Sequence, residues 1–503
     1  MRAQLGRNAL LLAATSAGSY VFGLVRDRLL ASTFGASREV DIFNSAFLLP
    51  DLIMNLFAAA LTAAFIPVFA KVVTRSGDEA GYRAANELLT VTVSGVLLAD
   101  VVAYIALPWL APLIAPGFNA ADLAQLVTAS RWLLLSPFLF GISILFGAIL
   151  QGKHRFVAYA ISPMLYNIGI SLGIVFLSPW FGINGAIIGV VIGASAHAAV
   201  RLLATMRLRY YPKFHHTAFR SPTVKATLAL MAPRILGLLA VQATLWTFNA
   251  VGSTLSAGSV SVFNFARNFQ SLPVSFIGIA LATALFPILA HDYAQTNSSQ
   301  LVDTTRRALR SVLFLTLPAM VGMMFVSTPL VATFLGSGAF DAAAIQRTSV
   351  TLILFALVIP LESVQHILAR VFYAQHNTTT PAVISIIAAV LNVAVCVIAV
   401  QWFDLLGLVI GFITTTLVID VALVWRLNRV GQKLFDRSVW ELIMKSSLAC
   451  GVMAIAVGIV GQLVQGNFLQ LIMLSGTGIL CYMAMSYVLR MPEYKQLLGL
   501  IKR

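Results

Sequence analysis

VDIFNSAF at residues 40–47 is repeated 220 positions later as VSVFNFAR at residues 260–267. The same offset holds further along the chain, where AALTAAFIPVFA (59–70) matches IALATALFPILA (279–290). A Phe-Asn pair and a proline stay in register in both copies. Shared apolar composition does not produce a constant offset across two segments, so the sequence predicts two related halves.

The composition predicts a membrane protein. Of 503 residues, 59% are apolar and 10% are charged, with a mean hydropathy of +0.90. Soluble domains are nearer half apolar and one quarter charged. At roughly 20 residues per membrane-spanning helix, this chain has apolar residues for about a dozen spans or more. We therefore predict an all-α polytopic membrane protein and exclude a nucleic-acid-binding protein, despite the net charge of +15.

The apolar runs divide the chain into fourteen candidate spans. They lie near 8–31, 40–70, 86–114, 126–150, 157–178, 183–207, 224–250, 259–290, 309–335, 347–374, 381–402, 405–426, 440–463 and 468–489. We expect a first lobe of six spans (1–207), a cytoplasmic linker (208–223), a second six-span lobe (224–437), and two further spans with a tail (438–503). Six spans separate the repeat copies, so the lobes insert in the same orientation. Their symmetry axis then lies along the membrane normal, as in some alternating-access transporters.

The basic residues predict the orientation of these spans. Most Lys and Arg residues lie at the two termini or in alternate loops, near 71–83, 153–155, 201–225, 306–310, 370 and 426–445. The intervening loops near 115–125, 179–182, 251–258, 336–346, 403–404 and 464–467 have none. Cytoplasmic loops carry the excess of Lys and Arg in membrane proteins. This alternation therefore predicts an even number of spans with both termini in the cytoplasm.

Four arginines fall well inside predicted spans, where a charge costs about 2.5–3.5 kcal/mol or more and must face a partner or a wet cavity. They are Arg26, Arg28, Arg234 and Arg267. A structural ion pair, such as Arg26 with Asp41, is one explanation. A cationic cavity is the other, because Arg26, Arg234 and Arg267 come from the first helices of both lobes. Guanidinium groups at such a cavity suit phosphate or pyrophosphate oxygens.

The motifs of common enzymes are missing from the sequence. It contains no nucleotide-binding loop, no HExxH and no nucleophile elbow. The three cysteines lie in apolar runs without the spacing of a metal site. These observations favour a transporter over an enzyme or an ATP-hydrolysing pump.

Four segments resemble the MurJ/MviN family of lipid II flippases: FGLVRDRLLASTFGASREVDIFNSAFLLPDL (22–52), AAFIPVFAK (63–71), GSGAFDAAAIQRTS (336–349) and ARVFYAQHNTTTPA (369–382). The resemblance covers essentially the whole chain. It implies that the protein moves an undecaprenyl-pyrophosphate-linked peptidoglycan precursor across the bacterial inner membrane by alternating access. It also implies a cationic central cavity, and a groove for the lipid tail formed by the two extra helices.

The resemblance also identifies candidate site residues. The family's arginine and aspartate of helices one and two correspond to Arg26 and Asp41, whereas Tyr20 and Met54 replace two further family arginines. We expect a phosphate clamp of Arg26, Arg234 and Arg267, with Asp41 and Arg28 in a gating ion pair. Some members bind sodium through an Asn and an Asp four residues later. Here the residue four positions after Asn392 is Cys396 instead of an aspartate, so no metal or other cofactor is expected.

Two other functions stay open at this point. One is export of a different polyprenyl-linked glycan or an amphipathic drug through the same architecture. The other is a non-transporting paralogue that serves as a scaffold for wall-synthesis proteins. Arg26 and Asp41 favour the flippase, whereas Tyr20 and Met54 favour the alternatives. We expect a monomer that contacts its lipid-linked substrate and membrane lipids, with wall-synthesis proteins as further candidate partners.

The predicted orientation can be tested by cysteine labelling. In a background without the three native cysteines, Asn119→Cys and Gly182→Cys should react with a membrane-impermeant thiol reagent added outside the cell. Ser76→Cys and Thr217→Cys should react only after the membrane is permeabilised. External labelling of Thr217→Cys would contradict the orientation.

Overall fold

The computed structural model describes residues 2–153, 155–295 and 298–501; within these ranges the side chains of 2–14, 16–17, 58–64, 66–67, 230, 232–234, 236–237, 298, 498 and 500–501 are outside the description. The described residues form helices and short connections, without a β-strand. The all-α fold class predicted from the sequence is therefore confirmed. The chain divides into two compact units, Met1–Ser261 with Gly338–Phe340, and Val262–Ser337 with Asp341–Arg503.

The first unit contains nine helices over the described residues. They are α1 (Arg2–Phe34), α2 (Arg38–Ala46), α3 (Leu48–Ile114), α4 (Ala120–Leu133), α5 (Leu135–Gly152), α6 (Phe156–Leu172), α7 (Ser178–Phe181), α8 (Ile183–Met206) and α9 (Pro222–Ser253). A π-helical turn (Gly173–Leu177) joins α6 to α7, and a 3-10 turn (Ala218–Arg220) precedes α9. The unit also includes the start of α10 (Ser259–Pro273).

The second unit continues α10 through a π-helical turn (Val274–Ile279). Its other helices in the described ranges are α11 (Ala280–Ala294), α12 (Ser298–Phe334), α13 (Ala342–Ala356), α14 (Val358–Ala374), α15 (Thr379–Phe403), α16 (Leu406–Arg429), α17 (Arg437–Leu463), α18 (Asn467–Val488) and α19 (Pro492–Ile501). The last two long helices, α17 and α18, pack against α12. The buried Tyr482 hydroxyl of α18 donates to the Phe314 carbonyl of α12, at 2.8 Å.

The described helices account for most of the predicted spans. Eleven helical stretches are long and apolar enough to cross a membrane, and α13 with α14, bent by 44°, makes a twelfth if the pair is one span. The other two predicted spans, 8–31 and 224–250, fall within α1 and α9, whose side chains are described only in part. The number of fourteen spans stays a prediction.

Two segments that we predicted as loops are more ordered than expected. The polar stretch between the second and third predicted spans is helical, and α3 continues through it with one break at Gly77, where φ is +81°. The polar stretch is helical because the Glu, Ala, Arg and Asp residues around Gly77 are compatible with a helix. The helix is therefore interrupted at the glycine alone.

The predicted linker 208–223 lies within the first unit and packs against α3. Tyr210 is buried and donates its hydroxyl to the Asn86 side chain of α3, at 2.8 Å. Burial raises the pKa of this phenol. The His215 amide donates to Thr90 of the same helix, at 3.0 Å.

Helices α6 and α8 approach each other closely through glycines. A Cβ atom at Gly193 would lie 2.4 Å from the Tyr166 carbonyl oxygen, and one at Gly169 would lie 2.3 Å from the Gly193 Cα. Small residues allow such backbone contact between membrane helices, where dispersion replaces the hydrophobic effect as the main attraction. The α6–α8 pair therefore depends on the absence of side chains at these positions.

We expect Gly193→Ala to lower the midpoint of thermal unfolding in detergent, since the added methyl group must push two backbones apart. Overpacking of this kind costs about 1–3 kcal/mol. Gly476→Ala in α18 is the matched control, because nothing lies within 4 Å of a Cβ atom there. Equal midpoints for the two variants would contradict the proposed packing.

Candidate functional site: the intramembrane charges and the Asp41 cluster

Arg26 lies in α1 and is bound by a neighbouring acid and by α6. Its Nε and Nη2 atoms donate to Asp27 Oδ1 at 2.9 and 2.7 Å, and Nη1 donates to Asn167 Oδ1 at 3.1 Å. Asn167 in turn donates from Nδ2 to the Pro163 carbonyl, one turn earlier in α6, at 3.3 Å. The Arg26 side chain as a whole remains 26% exposed.

Asp41 has different partners from those that the Arg26–Asp41 hypothesis requires. Its Oδ2 accepts from the Gly258 amide at 2.7 Å, and its Oδ1 accepts from the amide and hydroxyl of Ser261 at 2.8 and 2.5 Å. Asp41 is 1% exposed. The proposed ion pair between Arg26 and Asp41 is therefore wrong for this structure, in which Arg26 is neutralised by Asp27.

The sequence explains why Asp41 binds at this place. Helix α10 begins at Ser259, so the amides of its first turn have no partner within the helix. A carboxylate at a helix start satisfies such amides and interacts favourably with the helix dipole. Asp41 fulfils this role from α2, a separate helix, and it contacts Ser261 at the equivalent position of the repeat, 220 residues away.

Two glycines allow the loops around Asp41 to approach one another. Gly258 has φ of +85°, and a Cβ atom there would lie 2.1 Å from the Ala36 carbonyl oxygen. Gly338 has φ of +59°, and a Cβ atom there would lie 2.2 Å from the Ser32 carbonyl oxygen. The same oxygen accepts a hydrogen bond from the Ala339 amide at 2.8 Å. We call residues 32–41, 258–261 and 338–339 the Asp41 cluster. All of them belong to the first unit.

Arg38 extends the Asp41 cluster towards α4. Its guanidinium lies 3.9 Å from Asp41 Oδ2 and 3.6 Å from Asp122 Oδ2, and it stacks 4.7 Å from the centre of the Phe118 ring. This arginine was not among our candidate site residues. Its position three residues before Asp41 in a helix is a signal that could have identified the contact.

Arg267 lies in the second unit, on α10. Its guanidinium carbon is 5.6 Å from the centre of the Phe412 ring, and it interacts electrostatically with Glu362. Gln270, one turn further along α10, donates to Glu362 Oε2 at 3.0 Å. Arg267 therefore faces an aromatic ring and a carboxylate from neighbouring helices.

The other predicted site residues are described less fully. Arg28 is exposed on α1 and has at least one interaction. Arg234 lies in α9, and its side chain is outside the described residues. That Arg26, Arg234 and Arg267 line one cavity stays a prediction.

The side-chain amide of Asn392 makes its hydrogen bonds within the helix pair α15–α16. Its Nδ2 donates to Thr415 Oγ1 at 2.8 Å, and its Oδ1 accepts from the Cys396 thiol at 3.7 Å. No group of three His, Cys, Asp or Glu side chains with the geometry of a metal site occurs in the described part of the chain. Whether a cation binds here stays untested.

Comparison with known proteins gives a consistent result. The family described as lipid II flippase MurJ matches residues 30–477. A probable lipid II flippase MurJ of Rhizobium tropici is 29% identical over 76% of this chain and 73% of its own length. A probable lipid II flippase MurJ of Bdellovibrio bacteriovorus is 26% identical over 97% of this chain and 95% of its own length.

Solved structures show the same fold. A structure titled "Lipid II flippase MurJ, inward closed conformation" superposes with a TM-score of 0.81 at 21% identity, covering 97% of this chain and all of that one. An inward-facing MATE multidrug transporter superposes with a TM-score of 0.67 at 18% identity, covering 82% and 95%.

The helical fold and the long apolar spans define a multi-pass membrane transporter rather than an enzyme. The family match covers most of the sequence. The chain belongs to the lipid II flippase MurJ family, whose members are proteins of the bacterial inner membrane.

Proposed function

We propose that this protein moves lipid II, the undecaprenyl-pyrophosphate-linked peptidoglycan precursor, from the inner to the outer leaflet of the bacterial inner membrane. The family match across residues 30–477 carries this proposal. Complementation of a bacterium depleted of its own lipid II flippase is the direct test.

The proposed topology has fourteen spans in two six-helix lobes followed by two helices, with both termini in the cytoplasm. The eleven or twelve apolar helices, together with α1 and α9, support the number. The alternation of basic and uncharged loops supports the orientation. In this topology the Asp41 cluster faces the outside.

Substrate recognition in this proposal depends on Arg26, Arg234 and Arg267. Pyrophosphate offers several anionic oxygens, and guanidinium groups bind such oxygens in pairs. Arg26 supports this role through its partial exposure and through Asn167, which fixes one of its nitrogens. During transport the guanidinium exchanges Asp27 for the substrate, instead of the Asp41 that we first considered.

Asp41 acts as the outer gate in this proposal. Its three short hydrogen bonds join α2 to the start of α10, and opening towards the outside requires all three to break. Hydrogen bonds to a charged group are worth about 1.5–3 kcal/mol each. The gate therefore stabilises the outward-closed state by an amount that substrate binding can overcome.

We expect Asp41→Asn to open the gate more often. Both carboxylate oxygens of Asp41 accept hydrogen bonds from donors. The side chain of an asparagine has only one oxygen, so its NH₂ group would have to lie against a backbone N–H. With Val260→Cys as a reporter, which is buried beside Ser261, labelling by an impermeant thiol reagent should accelerate about tenfold, equivalent to 1.4 kcal/mol.

Glu39→Gln is the matched control, because it removes a carboxylate from the exposed side of the same helix. It should leave the labelling rate of Val260→Cys unchanged. An Asp41→Asn variant that labels as slowly as this control would refute the gate.

A paired neutralisation separates binding by Arg26 from its structural role. Arg26→Gln alone removes the Arg26 charge from beside the buried Asp27, and breaking a buried pair costs about 3–5 kcal/mol. Arg26→Gln with Asp27→Asn removes both charges and should restore expression. If Arg26 binds the pyrophosphate, this double variant should still fail to complement the depleted strain.

The control is the exposed pair on α17, neutralised by Glu441→Gln with Lys445→Gln. These side chains bind each other at 2.7 Å, and the double variant should complement fully. Full complementation by the Arg26–Asp27 double variant would eliminate Arg26 as a substrate ligand while leaving the lipid II activity itself intact.

A further inference from the structure

An open cleft of about 460 Å³ lies between α11 and α12 in the second unit. One wall is apolar and consists of a single face of α11, formed by Leu281, Ala284, Leu285 and Ile288. The other wall is polar and belongs to the first turns of α12. The cleft therefore has the amphipathic lining that a lipid molecule requires.

Arg307 lies at the polar end of this cleft, and it also lines an adjoining cleft of about 510 Å³. Its two neighbouring arginines are already paired. Arg306 contacts Asp303 at 3.2 Å and Asp436 at 3.6 Å, and Arg310 contacts the buried Glu493 at 2.7 Å. In the segment RRALR (306–310), the arginines that form ion pairs among the described residues are therefore Arg306 and Arg310.

The hydrogen bond that fixes Arg307 involves a neutral group. Its Nη2 donates to Thr304 Oγ1 at 3.3 Å, and that hydroxyl donates to the buried Asp292 at 2.7 Å. Asp292 also accepts from Gln300 at 3.1 Å, so its charge is largely satisfied within the protein. The described bonds of Arg307 use one of the five N–H donors of a guanidinium, and the side chain is exposed.

The length and lining of the cleft fit a headgroup phosphate and the first part of one acyl chain. From Ile288 to Leu281 the apolar wall extends for seven residues, or about 10 Å of helix, away from the charged end. Basic pockets between spanning helices on the cytoplasmic side bind anionic lipid headgroups. In the proposed topology, the start of α12 lies on that side.

We propose that the α11–α12 cleft binds an anionic phospholipid of the inner leaflet, with its phosphate at Arg307 and one acyl chain along Leu281–Ile288. Charge complementarity selects the headgroup, and the apolar face of α11 selects a lipid over a free phosphate. The orientation towards the inner leaflet rests on the proposed topology; the binding site itself does not.

The test measures lipid binding to the purified full-length protein in detergent by native mass spectrometry. Dioleoyl phosphatidylglycerol should bind more tightly than dioleoyl phosphatidylcholine. Arg307→Gln should weaken the binding of phosphatidylglycerol about tenfold, because a charge-assisted contact with the phosphate is lost. Arg429→Gln is the matched control, since this exposed arginine of the same unit stacks on Trp425 at 4.0 Å and lines neither cleft, and it should have no effect.

Two further arms separate a lipid from a free phosphate. Ala284→Trp places a large side chain at an exposed position of the apolar wall and should weaken phosphatidylglycerol. Sodium pyrophosphate should bind weakly and should not respond to Ala284→Trp. Each measurement is independent of transport, so failure here is distinguishable from failure of the flippase proposal, which complementation tests.

Three results would overturn the inference. Unchanged phosphatidylglycerol affinity in Arg307→Gln would exclude the arginine as the headgroup ligand. Equal affinity for phosphatidylcholine would exclude selection of an anionic lipid. Pyrophosphate binding as tight as that of the lipid, with no effect of Ala284→Trp, would identify the cleft as a site for free phosphate.

Discussion

The carboxylate of Asp41 closes the start of α10 with three hydrogen bonds, and much of the first unit is arranged around this contact. The first amides of a helix have no partner of their own, and in a membrane protein few waters are available to satisfy them. An acid supplied by α2 satisfies two amides and a hydroxyl at once. The loops of the Asp41 cluster can come this close only because Gly258 and Gly338 carry no Cβ atom.

This contact also limits where the charges of α10 can lie. Arg267 follows Ser259 by eight residues, or about 12 Å along the helix axis. Fixing the helix start therefore fixes the depth of Arg267, which in this structure lies beside Phe412 and Glu362. A helix with an unsatisfied start could shift along its axis and lose both neighbours.

The sequence predicted the all-α class, but it did not predict the partners of the buried charges, including Ser261 as the partner of Asp41. Hydropathy depends on composition along a helix, whereas ion pairing depends on how each helix is rotated about its axis. Arg26 and Asp27 are adjacent, and adjacent helical residues point in different directions, so they do not look like a pair. The long arginine side chain reaches back to its neighbour, which no spacing rule for helices anticipates. The helical conformation on both sides of Gly77 was missed for a different reason: the polar residues there that indicated a loop are also compatible with a helix.

The neutralisation of Arg26 by Asp27 has a consequence for the proposed transport cycle. A pair with no net charge attracts a pyrophosphate weakly, so further cations are needed to hold the substrate. In the repeat predicted from the sequence, the remaining candidates, Arg234 and Arg267, belong to the second copy, whereas Arg26 belongs to the first. A substrate bound by both copies would favour the state in which they approach on its side of the membrane, and a ligand shifts a conformational equilibrium only through such a difference in affinity. In this proposal the shortage of arginines in the first copy, with Tyr20 and Met54 in place of two, couples the binding of the substrate to the change of access.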